Sequence, residues 1–318
     1  MLDELKFVKG GVSKKGLIPT LTHFRIENGT VRSFNGTLAL SSPIKLDLDC
    51  TPKAEPFVKA IQNCTETVSL SMTPAGRLSI KSGAFKAFIE CVDTETPHVV
   101  PEGEEFPING EDLLKALKTI SPFIGNDASR PWSNGILIKG QSAYATNNVS
   151  LIEYWIGDTF PLICNVSRDA VKEMIRINEA PERVQINDHS ISFHYPDGKW
   201  IRSALLDIGW PNVEKIIDVP APNVSTLSDE LFDALENIKP FVDKLERVYM
   251  GNGFIGTTLI EKEGASYALE DFPHEGVYQL SVLRRLKGIA TSIDFTQYPR
   301  PCPFYGDRLR GVLIGMKV

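Results

Sequence analysis

DLLKALKTISPFI, residues 112–124, returns later in the chain as ELFDALENIKPFV, residues 230–242. At ordinary residue usage, two unrelated segments of this length share roughly one identity. The residues that recur unchanged and in register are Leu113, Ala116, Leu117, Ile120, Pro122 and Phe123, as Leu231, Ala234, Leu235, Ile238, Pro240 and Phe241. The two segments are therefore copies of one repeated unit.

Each copy has the spacing of an amphipathic helix. The recurring apolar residues fall at i, i+3, i+4 and i+7, which places them on one stripe of an α-helix. Because the residue ahead of a proline avoids α geometry, each helix is expected to stop just before Pro122 or Pro240. The repeated unit therefore opens with a helix that buries one face.

The whole chain runs through the order helix, strands, helix, strands three times. Helices are predicted at residues 2–9, 56–61, 111–121, 168–177, 229–239 and 281–289. Short strand patterns lie between them, separated by turn residues, and include residues 44–49 and a terminal strand over 309–317. The order predicts an α+β protein of three similar domains, residues 1–104, 105–219 and 220–318, each built twice from a helix followed by antiparallel strands.

The amino-acid composition is that of a globular protein. The 318 residues are 42% hydrophobic and 23% charged, as in ordinary globular proteins. No long uncharged apolar run occurs and the N-terminus lacks the pattern of a signal peptide, so we expect a soluble, cytoplasmic protein without membrane contacts. The five cysteines show no C-x-x-C spacing, which predicts reduced thiols and neither a metal site nor a disulfide framework.

The sequence contains no recognisable catalytic motif. Residues 251–256, GNGFIG, match G-x-G-x-x-G, but a strand pattern follows where a dinucleotide site needs a helix. His189 and His194 lie five apart on strand patterns and so point to opposite faces, which excludes a shared metal site. We therefore predict a protein that is not an enzyme and has no cofactor.

Basic residues recur on the predicted helices. Arg168, Lys172 and Arg176 are spaced by four and line one helix face. Exposed helix faces commonly carry Lys and Arg, so for any single helix a plain solvated face is the better explanation. Across nearly all six helices, a shared positive surface that contacts phosphates without reading bases becomes equally good. The residues predicted for it are Lys6, Lys9, Lys59, Lys115, Lys118, Arg168, Lys172, Arg176, Lys239, Lys244, Arg284, Arg285 and Lys287.

Three short stretches, at residues 130–153, 210–217 and 310–318, together resemble the bacterial β sliding clamp, the processivity subunit (DNA polymerase III β subunit) of the replicative polymerase. Residues 130–153, RPWSNGILIKGQSAYATNNVSLIE, resemble the family's second domain but lack the Asp-Gly-His-Arg that follows its Ala-Thr. Residues 210–217, WPNVEKII, resemble the close of that domain, and residues 310–318 resemble the family's C-terminal strand. The chain is also shorter than typical members, as expected of a divergent clamp such as a phage-encoded one.

The resemblance implies a ring. In that family three domains form a crescent, and two crescents close head to tail into a homodimer that encircles double-stranded DNA with helices facing the hole. Such a linkage is topological, so a chain of net charge −6 is compatible with a DNA-bound role if its inner face is basic. The implied partners are DNA, a DNA polymerase, a clamp loader and a second copy of the chain.

The resemblance also implies a groove for partner peptides between the second and third domains. The matching residues are all apolar, as a peptide-anchor pocket requires: Leu151, Pro211, Ile216, Ile314, Met316 and Val318. For Leu151 and Ile216 an ordinary core position is nearly as good an explanation.

An alternative function stays open at the sequence level. The same three domains fit a β-rich structural or adaptor protein, for example a virion component, that does not encircle DNA. Basic residues gathered on one inner face would favour the clamp, whereas scattered ones would favour the adaptor.

Overall fold

The computed structural model describes residues 1–318 except Lys15, Leu17, Ile208, Asn252, Glu261, Lys262, Glu270, Asp271, Pro273 and Val318. The chain forms two compact units. Unit 1 comprises residues 1–114 and 169–205, and unit 2 comprises residues 115–168 and 206–318.

The helices lie close to their predicted positions. They are α1 Leu2–Val8, α2 Ala54–Gln62, α3 Gly110–Ile120, α4 Arg168–Ile177, α5 Val213–Ile217, α6 Asp229–Ile238 and α7 Leu280–Arg284. The short α5 was not predicted. The helix predicted over 281–289 ends at Arg284, because the next amides bond three residues back, as from Leu286 to Leu283, and Gly288 has a φ of +76°.

The repeated segments fold alike. α3 and α6 each end before the proline, and the chain then makes a single 3₁₀ turn, Ser121–Phe123 or Lys239–Phe241. The matched stripe is buried in both copies, with Leu117 and Leu235 at 1% and 0% exposure. The helical interpretation of the repeat is confirmed.

Unit 1 contains two antiparallel sheets. The first has the order β1-β2-β3-β14-β13-β12-β7, and the second has the order β4-β5-β6. Their strands are β1 Arg25–Glu27, β2 Thr30–Phe34, β3 Leu38–Pro43, β4 Ser69–Met72, β5 Leu78–Ser82, β6 Phe85–Ile89, β7 Glu104–Pro107, β12 Arg183–Ile186, β13 Ser190–His194 and β14 Trp200–Ala204. The larger sheet therefore joins strands from the first predicted domain to strands from the second, through the pair β3–β14.

Unit 2 also contains two antiparallel sheets. The eight-stranded sheet has the order β11-β8-β9-β10-β22-β21-β20-β15, and the four-stranded sheet has the order β18-β17-β16-β19. Their strands are β8 Gly135–Lys139, β9 Ser142–Thr146, β10 Ser150–Trp155, β11 Cys164–Ser167, β15 Ser225–Thr226, β16 Arg247–Gly251, β17 Phe254–Gly256, β18 Ser266–Ala268, β19 Gly276–Gln279, β20 Ser292–Ile293, β21 Cys302–Gly306 and β22 Leu309–Leu313. The eight-stranded sheet joins the second and third predicted domains through β10–β22.

One predicted strand is absent, and another ends earlier than predicted. Residues 44–49 form no strand. The amide of Ile44 still bonds the carbonyl of Gly29 at the open end of the β2–β3 hairpin, but the amide of Leu46 then bonds back to the carbonyl of Ile44 and turns the chain. The terminal strand ends at Leu313 instead of continuing to residue 317. Beyond it the amide of Met316 donates to the carbonyl of Val277 in β19, which draws the tail out of the sheet.

The α+β class is confirmed, with helices packed on antiparallel sheets throughout the described residues. The division into three domains remains a prediction. Each large sheet joins strands of two neighbouring predicted domains, so the two compact units do not coincide with the three domains. None of the described helices has the length and apolar character that crossing a membrane requires.

Candidate nucleic-acid and peptide interfaces

The cations predicted to face DNA lie on helices or in the turns that follow them, and none is buried. Ten are exposed and three, Arg168, Arg284 and Arg285, are half-buried. Lys239 and Lys244 follow α6 instead of lying on it, and α6 itself carries acidic residues and no lysine or arginine. The cations predicted for this repeat therefore lie on α7 and in the turns after α6 and α7.

Glu55 bridges the helix pair of the first repeat. Its carboxylate accepts from Lys9 Nζ, just after α1, at 2.8 Å, and from Lys59 Nζ, on α2 itself, at 3.4 Å. The hydrogen bond from Lys9 holds the pKa of Glu55 below its ordinary value. Two predicted DNA contacts thus already share one carboxylate.

Glu236 makes the matching bridge in the third repeat. Arg284 Nε of α7 donates to Glu236 Oε1, and Lys239 Nζ lies 3.7 Å from Oε2 of the same carboxylate. The bond from Arg284 lowers the pKa of Glu236. Lys287 pairs with Asp233 at 3.9 Å and lies 5.8 Å from the centre of the Phe232 ring. Arg284 of α7 and Lys287 just after it are therefore paired with acids of α6.

The three basic residues of α4 differ from one another. Lys172 is exposed. Arg176 pairs with Glu173, and its Nη2 also donates to the carbonyl oxygen of Phe7 near the end of α1, at 2.9 Å. Arg168 is half-buried, and its Nη2 is buried without a hydrogen-bond partner among the described residues. Lys172 is the one of the three that is placed as a simple surface cation.

An apolar groove of about 240 Å³ lies in unit 2, over the β10–β22 pair and α5. Leu151, Val213 and Val312 form its floor and are 6%, 3% and 2% exposed. Ile216 and Ile314 stand at its sides with 37% and 44% of their surface exposed. The groove thus has a buried apolar floor and solvent-exposed apolar sides.

Four of the six predicted groove residues line this groove: Leu151, Pro211, Ile216 and Ile314. Met316 does not line it, because its backbone is held elsewhere: its amide bonds Val277, and its carbonyl accepts from Tyr298 Oη at 2.9 Å. Val318 lies outside the described residues. Met316 as a groove residue is therefore not supported by the contacts.

Two tryptophans were missed. Trp132 and Trp210 line the groove with ring centres 5.2 Å apart. Each stands beside a proline, in RPW and WP, within stretches that already carried the resemblance. Large aromatic residues beside a predicted anchor pocket were the available signal, because aromatic side chains dominate interface energetics.

The hairpin that borders the groove turns at Asn147-Asn148-Val149-Ser150, the stretch in which the sequence departs from the pattern that it resembles. Asn147 Oδ1 accepts from the amides of Val149 and Ser150, at 3.1 and 2.8 Å, and Asn148 takes a φ of +69°. Arg130 Nη1 donates to Asn148 Oδ1 at 2.9 Å. Asparagine tolerates this left-handed conformation, so the turn needs no glycine at this position.

The strand pair beneath the groove is fixed by a half-buried carboxylate. Glu153 of β10 accepts from Arg310 Nε of β22 at 2.6 Å, from Ser142 at 2.7 Å and from the Tyr144 hydroxyl at 2.9 Å. Burial alone would raise the pKa of Glu153, but these bonds outweigh it and lower the pKa. The charged pair therefore pins the register in which Glu153 opposes Arg310.

No protein-family model and no curated protein sequence matches the chain. Solved structures do match. A DnaN sliding clamp (DNA polymerase III subunit beta) from Pseudomonas aeruginosa bound to griselimycin is 17% identical with a TM-score of 0.84. The pol III beta of Caulobacter crescentus is 18% identical with a TM-score of 0.84, and the DNA polymerase beta subunit of Streptococcus pyogenes is 15% identical with a TM-score of 0.85. Each match covers 100% of this chain and 97% of the other.

At these identities the matches establish architecture, and they do so over the full length. The resemblance drawn from the three short stretches is confirmed at the level of fold. The chain has the fold of the bacterial β sliding clamps.

Proposed function

We propose that this protein is a DNA sliding clamp, a non-enzymatic processivity factor that encircles duplex DNA and tethers a replicative DNA polymerase. Two copies would join head to tail, each contributing three domains with the ranges 1–104, 105–219 and 220–318. The observation that carries the proposal is the way in which strands of successive domains pair within the two large sheets.

In both large sheets the third strand after a domain's first helix pairs with the last strand of the next domain. β3 pairs with β14 in this way, and β10 pairs with β22. The same rule leaves two strands over: β18 of the third domain and β6 of the first. Within the described part of the chain, neither has a strand on its outer side. Repeating the rule once more pairs β18 with β6 of a second copy.

A phenylalanine of the repeat supports the same pairing. Phe123 is fully buried and stacks on Phe304 of β21, with ring centres 6.5 Å apart. Its equivalent in the third domain, Phe241, is 63% exposed. Phe304 lies on a third-domain strand that is joined, through the β10–β22 pair, to the second domain, which contains Phe123. By the same arrangement, Phe241 of the third domain would be covered by the β4-β5-β6 sheet of a second copy. Phe88 on β6 is 50% exposed, as an uncovered interface residue would be.

A head-to-tail contact of this kind uses two different surfaces, so it closes into a ring when its rotation permits. Two copies would supply six domains. Pairing β6 with β18 would also remove exposed strand edges, which otherwise promote aggregation. A closed ring holds DNA by topology, and this explains how an acidic chain with largely paired helix cations could act on DNA without strong affinity.

The groove over β10–β22 is proposed to receive short peptides from the polymerase and from a clamp loader. Its apolar floor and exposed isoleucine sides fit an apolar anchor side chain. The two tryptophans add large rigid contact area, a feature of interface hot spots.

Sedimentation velocity over a concentration series tests the assembly. The wild-type chain should shift from monomer to dimer as concentration rises. Phe241→Asp should shift the equilibrium to monomer, because a carboxylate would be buried at the interface. As the control, Asp188→Asn on the β12–β13 turn should leave it unchanged. A wild-type chain that stays monomeric at high micromolar concentration without DNA, and also with DNA present, would contradict the ring.

A further inference from the structure

We infer that Glu55 and Glu236 compete with DNA phosphates for the cations of two helix pairs. Each glutamate holds its cations in ion pairs that a phosphate must break before it can bind them. The inference rests on the proposed function. It concerns how tightly the helix surface holds DNA, and it assigns these two acids a role as positioning residues that tune that grip.

The two bridges share one design. In each, a glutamate of one helix pairs with one cation on or just after the other helix, and with a second cation on or just after its own helix. Glu55 holds Lys9 and Lys59, and Glu236 holds Arg284 and Lys239. The same arrangement thus occurs in the first and the third repeat, although the two glutamates lie on different helices of the unit.

These ion pairs are accessible to a competing anion. The side chains of Glu55 and Glu236 are 53% and 45% exposed, and those of Lys9 and Lys59 are 45% and 67% exposed. Exposed pairs are weak, because water and salt screen them. A phosphate that arrives at the helix surface can therefore take the place of the carboxylate. When the phosphate leaves, the original ion pair forms again.

The exchange has a measurable cost in DNA affinity. A cation that releases a carboxylate when it binds phosphate gains less than a free cation does, since one anion replaces another. The glutamate also stays close to the phosphate and repels it. Lys172, which has no carboxylate partner among the described residues, provides the contrast of an unpaired cation on α4. Weak, exchangeable contacts suit a ring that must move along DNA.

Removing the two carboxylates tests the inference. The double variant Glu55→Gln, Glu236→Gln keeps side-chain size and frees four cations. Binding to a fluorescent linear duplex, measured by anisotropy over a salt series, should tighten about tenfold or more at low salt, with a steeper salt slope. The melting temperature should change little. Each single variant is measured as well, so that a folding defect in one leaves the other decisive.

The matched control changes net charge equally without touching a bridge. Asp47 and Asp188 are exposed loop acids that make no salt bridge with the described residues, and Asp47→Asn, Asp188→Asn should leave the salt slope at the wild-type value. If this control variant gained as much DNA affinity as the double Gln variant, the inference would be overturned, because the change in net charge alone would explain the gain.

A third variant separates this inference from the proposed function. Lys9→Ala, Arg284→Ala should weaken binding if the helices face DNA. If it does so while the Gln variant binds like wild type, the competition is overturned and the DNA-facing surface stands. If neither variant changes binding, the helices do not face DNA, and both the inference and the proposed DNA surface fall.

Discussion

Leu151 and Ile314 both line the groove, but their surroundings give them different roles. Leu151 packs in a buried cluster with Leu137, Tyr144 and Val312, whereas Ile314 keeps 44% of its surface exposed. The resemblance placed both in one predicted groove, and the sequence left an ordinary core position open for Leu151 but not for Ile314. Burial decides which of them supports the fold and which is available to a partner.

Leu151→Ala should lower the free energy of unfolding by about 2–5 kcal/mol, since it leaves a cavity in the floor. Ile314→Ala should cost less than about 1 kcal/mol, because an exposed side chain loses little packing. It should nevertheless weaken a groove-binding peptide about tenfold, as loss of an interface anchor does. Urea denaturation and peptide titration on both variants check this. Equal stability losses would contradict the assignment.

His274 predicts a pH dependence of stability. It is buried between the rings of Phe272 and Phe295, its Nε2 lies 3.1 Å from the Ser225 hydroxyl, and burial lowers its pKa. The folded state therefore disfavours the protonated ring, so the stabilisation is present above the unfolded pKa of about 6.5 and is lost as pH falls below it.

The melting temperature should therefore drop between neutral pH and pH 5 more steeply for the wild type than for His274→Gln, which cannot titrate. Some dependence should remain in the variant, because burial also lowers the pKa of His194. Parallel curves for the two proteins would show that His274 does not contribute.

At the scale of elements, Arg176 joins two helices. Its guanidinium bonds the Phe7 carbonyl at the end of α1, whereas Lys172 one turn earlier reaches solvent. Arg176→Ala should therefore cost about 1 kcal/mol of stability, after allowance for its partial exposure, and Lys172→Ala less than about 0.5 kcal/mol. Denaturant unfolding measures both. An Arg176→Ala protein as stable as wild type would make the bond to Phe7 energetically irrelevant.

The helices were predictable because their apolar residues repeat at helical spacing and proline marks the ends of α3 and α6. α5 was missed, since Val213–Ile217 is too short to show a period. The pairing of β3 with β14 and of β10 with β22 had no signal in the sequence, because strand register between distant segments depends on tertiary packing. The meeting of Trp132 with Trp210 depends on that same long-range packing, so the sequence showed each tryptophan but not the pair.

At the scale of the whole molecule, the fold match covers the full chain, and the sheet rule is the basis on which we propose a second copy. β6 and β18 are the two strands that the rule leaves without partners, and Phe241 is the repeat residue left exposed. The net charge of −6 and the bridged helix cations fit a protein that keeps its hold on DNA by enclosing it.

Topological retention on circular DNA tests enclosure most directly. Chains carrying one cysteine in β6 and one in β18 are mixed with closed circular DNA and then cross-linked, so that any ring closes around the DNA without a loader. We predict that the cross-linked protein stays on circular DNA in high salt, where phosphate contacts are screened, and is released when one cut linearises the DNA. Loss from the intact circle in high salt despite complete cross-linking, or retention after the cut, would contradict encirclement.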